Sequence, residues 1–414
     1  MTGMQSGVVI VGAGLAGISV ASALRSGGFV GPVVLVSAET EAPYDRPPLS
    51  KKFLLDGDTA SVRIGTDMLD SVEFVRGMAI EKIDVAGKQV VFSGGKILRW
   101  DKLVIATGAI PNRLPSLERG PLPTFVLRSL EDSQRIRELL VPGVRLMVVG
   151  GGPIGLELAV TARQLGAEVT LIEAASRVMG RCTSPFLADY LVRHHGKNGI
   201  DIRLGRFIDH VLDDGHVLLD NGARLAADML VVGVGIRAND AIAVQAGLAC
   251  SDGIFVDACG RTTAPDVFAA GDVTRQRNPV SGNFERIETW ANAKDQATAI
   301  VPGLLDSAAA TPYAAVPWYW SEQGEMRIQA AGLPVGDQEV IRGDPESGRF
   351  LALQLRKGIL VGVAAVNSVR DFGACKKLIA GAARIEPQTL ADTGIDLRKL
   401  AAGTPAMPGN GITQ

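Results

Sequence analysis

Two glycine-rich segments in distant parts of the chain share one spacing. They are Gly12-Ala13-Gly14-Leu15-Ala16-Gly17 and Gly150-Gly151-Gly152-Pro153-Ile154-Gly155. Each lies between an apolar run and a helical pattern, the context in which a G-x-G-x-x-G turn holds the pyrophosphate of a dinucleotide. The second glycine lets the backbone approach the phosphates, and the helix N-terminus adds partial positive charge. The sequence therefore predicts two dinucleotide sites, although glycine-rich turns also occur for packing reasons alone.

A third segment helps to assign the dinucleotides. Residues 267–272 form another strand-to-turn pattern, which would bring Asp272, directly after Gly271, beside the ribityl chain of FAD at the first turn. The alternative for this segment is a surface Gly-Asp turn. Two dinucleotide sites in one chain favour one flavin and one nicotinamide, so we expect FAD at the first turn and NAD at the second.

An acidic residue follows the second strand of each unit. Glu39 and Glu173 stand where a carboxylate accepts hydrogen bonds from the ribose hydroxyls of an adenosine. Negative charge at Glu173 would also repel a 2′-phosphate, so we expect NADH rather than NADPH. Arg177 lies shortly after Glu173 and is the residue that would favour a phosphate instead.

The elements that must position these residues also repeat. Strands are predicted at residues 8–11 and 33–36 around the first turn, and at 145–149 and 169–172 around the second. Each copy is followed by a strand that ends in glycine, and the first of these contains Ala106-Thr107-Gly108. Gly94-Gly95 and Asn221-Gly222 are predicted hairpin turns. The order indicates that the second nucleotide fold is inserted into the first.

The pattern changes from about Thr311. Short strands are predicted from Trp318 onward, followed by a helix over residues 370–380, which is typical of a separate α+β domain. We therefore predict an α/β protein with two Rossmann-like dinucleotide-binding domains, the NAD domain inserted in the FAD domain, plus a C-terminal α+β domain. A chain of 414 residues is also too long for one hydrophobic core.

Composition excludes several classes of function. The net charge is −2 and charged residues make up 21%, so nothing predicts binding to nucleic acid or to a membrane surface. No apolar stretch is long enough to span a bilayer, and residues 1–7 lack the basic charge of a signal peptide. We expect a cytoplasmic protein. The spacing of the cysteines and histidines predicts no metal site.

The positions of the cysteines bear on the electron acceptor. The four cysteines are Cys182, Cys250, Cys259 and Cys375, so none lies near the first glycine turn or in residues 43–51. Disulfide reductases of this architecture need a dithiol beside the flavin, and NADH peroxidases and oxidases need one reactive cysteine there. Electrons would then leave directly from the flavin, which accepts two and releases them singly, as an iron–sulfur partner requires.

These segments, with residues 43–51 (P-Y-D-R-P-P-L-S-K) and 317–321 (P-W-Y-W-S), closely resemble the glutathione-reductase-like ferredoxin reductases of bacterial oxygenase systems. The nearest likeness is to the reductase component of biphenyl-type aromatic ring-hydroxylating dioxygenases; putidaredoxin reductase and apoptosis-inducing factor are similar at a greater distance. The resemblance extends to about Leu400. It implies hydride transfer from NADH to FAD, then single-electron transfer to a [2Fe-2S] ferredoxin of the Rieske type, which supplies the dioxygenase. Pro153 is a departure, because relatives often carry valine there.

The resemblance also implies domain boundaries and contacts. It places the FAD domain at residues 1–108 and 232–310, the NAD domain at 109–231, the C-terminal domain at 311–403 and a disordered tail at 404–414. Further FAD contacts are implied at Arg46, Lys51, Ala79, Arg128 and Trp290. Further NAD contacts are implied at Ile154, Glu157, Arg181 and Gly235, beside Glu173.

Three residues are candidates for a direct part in the reaction. Lys51 is expected near the flavin N5 edge, where positive charge would stabilise the reduced ring, and the resemblance makes a Lys51–Glu157 pair plausible beside it. Trp320 is expected to stack near the isoalloxazine or the nicotinamide. The alternatives are that Lys51 and Glu157 are ordinary solvated charges, and that Trp320 is part of a core.

A basic bias near the C-terminus would attract an acidic ferredoxin, or would simply be a solvated helix face. Its members are Arg370, Lys376, Lys377, Arg384, Arg398 and Lys399. Two other functions fit a flavoprotein of this kind. One is an NADH-binding regulatory protein like apoptosis-inducing factor, which a nuclear-targeting basic cluster would favour. The other is an NADH oxidase, against which the missing cysteine argues.

Overall fold

The computed structural model describes residues 5–404 of the chain. The predicted tail therefore lies outside the described residues, except for Thr404. Three units are present, here called the first unit, the second unit and the C-terminal unit. Within residues 5–404 no helix is long and apolar enough to cross a membrane.

The first unit is built on a seven-stranded sheet. Five strands run parallel, in the spatial order Glu73–Val75, Val33–Val36, Gln5–Val11, Ile97–Ile105 and Val267–Ala269. Antiparallel strands Gln89–Phe92 and Ile80–Asp84 extend the sheet from Ile97–Ile105. Val9, Ile10 and Leu103 are buried because a parallel sheet is covered on both faces.

Helices and a small sheet complete the first unit. The α-helices are Leu15–Ser26, Lys52–Asp56, Thr66–Leu69, Ala241–Gln245, Trp290–Ala299 and Val301–Leu305. Short 3-10 turns span Pro47–Ser50, Ala60–Val62 and Ser307–Ala309. The small sheet pairs Ile254–Phe255, Thr274–Arg277 and Phe284–Arg286.

The second unit repeats this plan. Its parallel sheet has the order Ile200–Leu204, Glu168–Glu173, Arg145–Val149, Met229–Val232 and Thr124–Val126. Its helices are Pro115–Glu118, Leu130–Leu139, Pro153–Gln164 and Pro185–Lys197. An antiparallel sheet of Ile208–Val211, His216–Leu219 and Arg224–Ala226 covers one side. The turn between its last two strands contains Gly222 at φ +81°. The predicted hairpin there is confirmed.

The chain enters and leaves the second unit side by side. Ala109–Pro111 and Ile236–Ala238 form a two-stranded antiparallel ribbon between the two units. The strand Val267–Ala269 follows the second unit in the chain but pairs with Ile97–Ile105, which precedes it, in the sheet of the first unit. The second unit is therefore inserted into the first, and the predicted order of the two nucleotide folds is confirmed.

The C-terminal unit is a five-stranded antiparallel sheet with helices on one face. The strand order is Trp318–Gln323, Met326–Gly332, Ile359–Val366, Arg349–Arg356 and Gln338–Asp344. Helices Val369–Ala380, Pro387–Ala391 and Leu397–Ala402 pack on one face. The other face shares a core with Leu156 and Leu187 of the second unit. As a result, the edge strand Trp318–Gln323 packs against the helix that follows the second glycine turn. The three units together confirm the predicted fold class.

Candidate active site

The two glycine turns have the same backbone geometry. Gly12 and Gly150 both have φ +111°, and a Cβ on either would lie within 2.4 Å of a backbone oxygen of the neighbouring strand end. Gly17 and Gly155 pack so closely on the turn that a Cβ would come within 2.1 Å of the first glycine's oxygen. These four positions therefore require glycine for conformation or close packing.

The middle glycine of each turn is different. A Cβ on Gly14 or Gly152 would meet no heavy atom within 4 Å, so the backbone there faces open space. Each is also the N-cap of its helix, with no side chain capping the first turn. Uncapped backbone N–H groups beside open space fit the pyrophosphate of a dinucleotide, which the dipole of the helix would stabilise.

One cleft of about 1790 Å³ joins the two turns and runs beneath the C-terminal sheet. Of the predicted site residues in the first unit it is lined by Gly12, Ala13, Gly14, Leu15, Ala16, Glu39, Arg46, Lys51, Ala79, Ala106, Thr107, Gly108, Arg128, Asp272 and Trp290. In the rest of the chain it is lined by Gly150, Gly152, Pro153, Ile154, Gly155, Glu157, Glu173, Arg181, Gly235 and Trp320. The fold therefore brings nearly all the predicted residues together.

Gly271 is the predicted residue that lies behind the cleft wall. It has φ +81°, and its N–H donates to Gln296 Oε1 at 2.8 Å. A Cβ there would lie 2.7 Å from the Ala16 methyl group. Gly271 thus lets residues 267–272 pack on the first helix, while Asp272 reaches the cleft.

The carboxylate of Glu39 is held by side chains. Arg46 Nη2 donates to Glu39 Oε1 at 2.7 Å, and the Tyr44 hydroxyl donates to Oε2. Burial opposes the charge, but the Arg46 guanidinium and the Tyr44 hydrogen bond outweigh it and hold the pKa of Glu39 below its ordinary value. A carboxylate has about four acceptor positions, so ribose hydroxyls still find free ones.

A second guanidinium lies beside the first. Arg46 Nη1 donates to the Arg128 carbonyl at 2.6 Å, and Arg128 Nη2 lies 3.4 Å from Asp272 Oδ2. Burial and the neighbouring Arg46 charge lower the pKa of Arg128. Within residues 5–404, the buried Arg128 Nε has no hydrogen-bond partner. An unpaired donor on one of two adjacent guanidinium groups fits the phosphates of FAD, which would satisfy it.

Glu173 is held by the backbone instead. Its Oε2 accepts from the Gly151 N–H at 2.6 Å and its Oε1 from the Ala175 N–H at 2.7 Å. These bonds fix the carboxylate at the end of its strand, where its remaining acceptor positions fit ribose hydroxyls. Arg177 and Arg206 line the same part of the cleft.

Lys51 and Glu157 form an ion pair between the two turns. Lys51 Nζ lies 3.2 Å from Glu157 Oε1, and their side chains are only 15% and 6% exposed. The reading of both as solvated charges is therefore wrong. Glu157 also accepts from Ser50 Oγ at 2.5 Å, from Ser321 Oγ at 2.8 Å and from the Glu322 N–H. A buried carboxylate needs such partners, since leaving it unpaired costs about 3–5 kcal/mol.

Three tryptophans meet at the same end of the cleft. The Trp320 ring centroid lies 5.6 Å from that of Trp290 and 5.9 Å from that of Trp318. Trp290 Nε1 donates to Asp45 Oδ1 at 2.7 Å, and burial raises the pKa of Asp45. Lys376 Nζ stands 4.4 Å from the centroid of Trp318.

Sequence reasoning missed Ser50, Ser321 and Tyr44 as functional residues. All three lie inside the two segments that carry the family resemblance, so the signal was present. What their residue types do not reveal is that two serines far apart in the chain share one carboxylate. Cys182 also lines the cleft, and burial raises its pKa above the ordinary value, which makes its thiol a weak nucleophile.

Comparison with known proteins agrees with this geometry. Residues 6–297 match the pyridine nucleotide-disulphide oxidoreductase family, and residues 318–401 match the reductase C-terminal family. The chain belongs to the pyridine nucleotide-disulphide oxidoreductase family. The predictions of an oxidoreductase and of FAD and NAD(H) as its cofactors are confirmed.

Its relatives include reductase components of oxygenase systems. The ferredoxin–NAD(+) reductase component of the p-cumate 2,3-dioxygenase system of Pseudomonas putida is 39% identical, over 96% of this chain and 98% of that protein. The ferredoxin–NAD(+) reductase component of the 3-phenylpropionate/cinnamic acid dioxygenase of Photorhabdus laumondii is 36% identical, over 91% of this chain and 97% of that protein.

Two solved structures superpose closely on the chain. The ferredoxin reductase for the CYP199A2 system of Rhodopseudomonas palustris is 34% identical with a TM-score of 0.91, covering 96% of this chain and 100% of that one. Putidaredoxin reductase in its covalent complex with putidaredoxin is also 34% identical with a TM-score of 0.91, covering 97% and 99%. The predicted resemblance is thereby confirmed.

Proposed function

We propose that the chain is the NADH-dependent ferredoxin reductase of an oxygenase system. The observation that carries this proposal is the single cleft that joins both glycine turns, with the Lys51–Glu157 pair between them. The relatives of known name, which are ferredoxin–NAD(+) reductase components, support the same reaction. When bound, FAD would take up a hydride from NADH, which is one proton and two electrons, and would release the electrons one at a time and the proton to solvent.

The first unit is proposed to hold FAD. Gly12, Gly14 and the first turn of helix Leu15–Ser26 would bind the pyrophosphate, and Glu39 the ribose of the adenosine. Arg46 and Arg128 would neutralise the phosphates, and Asp272 would contact the ribityl chain. The remaining proposed contacts with FAD are Ala13, Leu15, Ala16, Ala79, Ala106, Thr107, Gly108 and Trp290, with Gly271 shaping the turn.

The second unit is proposed to bind NADH. Gly150, Gly152 and Gly155 would form the pyrophosphate turn, and Glu173 would accept from the ribose hydroxyls. Pro153, Ile154, Arg181 and Gly235 would complete the contacts. The carboxylate of Glu157 would hold Lys51 where positive charge stabilises the reduced flavin, and Trp320 would cover the meeting rings. These residues orient the reactants and exclude water.

The partner is proposed to be a small [2Fe-2S] ferredoxin, Rieske-type by the family likeness. Helix Val369–Ala380 places Lys376 over Trp318, beside the tryptophans at the end of the cleft. Basic side chains there would steer an acidic ferredoxin toward that end and raise the association rate at low salt. The proposed docking face consists of Arg370, Lys376, Lys377, Arg384, Arg398 and Lys399.

Two further features belong to the proposal. We propose domain boundaries close to the limits at residues 108 and 232 that the resemblance implies; the ribbon of Ala109–Pro111 and Ile236–Ala238 supports them. The compartment is proposed to be the cytoplasm, where NADH is available.

The test is anaerobic stopped-flow mixing of the purified yellow protein with NADH, followed by mixing with an oxidised Rieske-type or plant-type ferredoxin. We expect rapid loss of the flavin's visible absorbance and then rapid reduction of one of the two ferredoxins. Flavin reduction without transfer to either ferredoxin would contradict the reductase and favour a regulatory flavoprotein. Transfer to the plant-type protein alone would overturn only the Rieske assignment.

A further inference from the structure

A buried series of hydrogen bonds leads away from Glu157 to a histidine. Ser321 Oγ lies 2.8 Å from Glu157 Oε1, and Gln323 Nε2 lies 3.1 Å from Ser321 Oγ. Gln323 Oε1 lies 2.6 Å from His195 Nε2. We call these four residues the His195 network. All four are less than a tenth exposed, so water does not compete for their hydrogen bonds.

The direction of every hydrogen bond in the network follows from its charged end. The Glu157 carboxylate forms an ion pair with Lys51 and acts as an acceptor, so the Ser321 hydroxyl must donate its one proton to it. The Ser321 oxygen then accepts from the amide of Gln323, which turns the Gln323 carbonyl toward the histidine. That carbonyl also only accepts, so His195 must carry its proton on Nε2.

The histidine can fill this role while uncharged. Burial lowers the pKa of His195 to about 4, against the opposing effect of the Gln323 hydrogen bond. Its neighbour on the helix, His194, is partly exposed and turns to the Tyr190 ring at a centroid distance of 5.9 Å. Only His195 belongs to the network, so a substitution at His194 can serve as the control for a substitution at His195.

The network crosses from one unit to another. His195 and Glu157 lie on two helices of the second unit, whereas Ser321 and Gln323 lie on the edge strand of the C-terminal unit. At the Glu157 end, Ser50 and Lys51 of the first unit contact the same carboxylate. Hydrogen bonds in a dry, low-dielectric site strengthen one another. Loss of a hydrogen bond at one end of the network therefore weakens the hydrogen bonds at the other end.

We propose that His195 is a positioning residue for hydride transfer, which acts through Gln323 and Ser321 to orient the Glu157 carboxylate and thereby Lys51. The proposal rests on the proposed function, in which Lys51 and Glu157 lie beside the reacting rings. It assigns to His195 no contact with either cofactor.

The kinetic test compares His195→Leu, Gln323→Leu and the double variant with the natural protein in anaerobic stopped-flow reduction by NADH. Each single change should lower the limiting rate of flavin reduction about tenfold or more, because His195→Leu removes one hydrogen bond of a charged network and Gln323→Leu removes two. The Kd for NADH should change less than about twofold. The double variant should be no slower than either single one, and His195→Gln, which keeps a donor, should restore the rate.

His194→Leu is the control and should leave the limiting rate and the Kd unchanged. Additive losses in the double variant would overturn the proposal, as would a failure of His195→Gln to restore the rate. So would an effect on the Kd for NADH with no effect on the limiting rate. Midpoint potentials of the bound flavin in the same variants give a second readout, and they should shift together in His195→Leu and Gln323→Leu.

A measurement on the unaltered protein needs neither turnover nor a folded variant. Labelling the four histidines with ¹⁵N lets NMR report the tautomer of each imidazole. His195 should be the Nε2–H tautomer, and an Nδ1–H tautomer would overturn the network. If NADH fails to reduce the natural protein, the proposed function fails, while the tautomer still decides the network.

Discussion

The two nucleotide units have the same backbone geometry at their glycine turns. They differ in the contacts of the acidic side chain that follows the second strand of each unit. In the first unit Glu39 is held by Arg46 and Tyr44, and the charge of Arg128 also lowers the pKa of Glu39. In the second unit Glu173 is held by two backbone N–H groups, and within residues 5–404 it forms no salt bridge. We infer that the first site is built to retain its nucleotide, and the second leaves its carboxylate available to select one that exchanges.

The largest expected effects come from replacing the middle glycine of each glycine turn with valine. Gly14→Val and Gly152→Val each add a side chain where the backbone is extended and a Cβ meets no heavy atom within 4 Å, so the fold should survive. Gly14→Val should be purified without flavin, because the side chain occupies the path of the pyrophosphate. Gly152→Val should keep its flavin but lose NADH affinity by about 100-fold or more.

Flavin content by absorbance and NADH titration separate these results. Each variant is the control for the other, because the same substitution is made at the same place in the two turns. A Gly152→Val protein that loses its flavin, or a Gly14→Val protein that retains it, would show that the sites are assigned the wrong way round.

The second prediction concerns the pH dependence of stability that arises from the histidines of the second unit. All four histidines lie in the second unit, and the pKa of His195 is lowered to about 4 by burial. Between pH 6.5 and about 4 the unfolded chain binds more protons at this residue, so the folded state loses stability as the pH falls. The total loss is about 3 kcal/mol, and it is absent above pH 6.5.

His195→Gln keeps the hydrogen bond to Gln323 but has no proton to gain. Urea midpoints measured at about pH 7 and about pH 5 should therefore fall less in this variant than in the natural protein. Equal losses on acidification would mean that His195 is protonated in the folded state.

The third prediction concerns the choice of nicotinamide. Glu173→Ala should reduce the preference for NADH over NADPH about tenfold or more, because it removes both the ribose acceptor and the repulsion of a 2′-phosphate. Glu39→Ala should leave this preference unchanged and weaken retention of FAD. The ratio of kcat/KM for the two coenzymes checks both variants, and an unchanged ratio in Glu173→Ala would remove its assigned role.

The smallest expected effect is at Pro153. It opens the second helix where Leu15 opens the first, so the second turn lacks one backbone N–H. That N–H is one of several unpaired donors at a helix start, and proline is favoured there. Pro153→Leu should therefore change the Kd for NADH less than about threefold, by fluorescence titration. A larger change would show that this donor matters to the phosphate.

Much of the site could be predicted because its signals are local. Gly12 and Gly150 must be glycine for their own φ and close packing, and the acids follow at fixed points of the same units. The hairpins at Gly94 and Gly222 are local in the same way. The insertion followed from the order of the repeats, and the paired ribbon at Ala109–Pro111 agrees with it.

The rest depends on packing between units. Two of the four contacts to Glu157, from Ser321 and Glu322, exist because the C-terminal sheet packs on the helices of the second unit. The other two, from Ser50 and Lys51, come from the first unit. Nothing in the local pattern distinguishes the buried His195 from the partly exposed His194, since both lie in the last turn of one helix. The burial and contacts of such residues can be predicted only when the packing of the units around them is known.

The most direct test of the account is a crystal structure of the reduced protein with NAD(+) bound. The account predicts FAD along the first glycine turn, NAD(+) along the second, and the two rings stacked beside Lys51 and Glu157. A nicotinamide bound away from this pair, or the two nucleotides in exchanged positions, would contradict it.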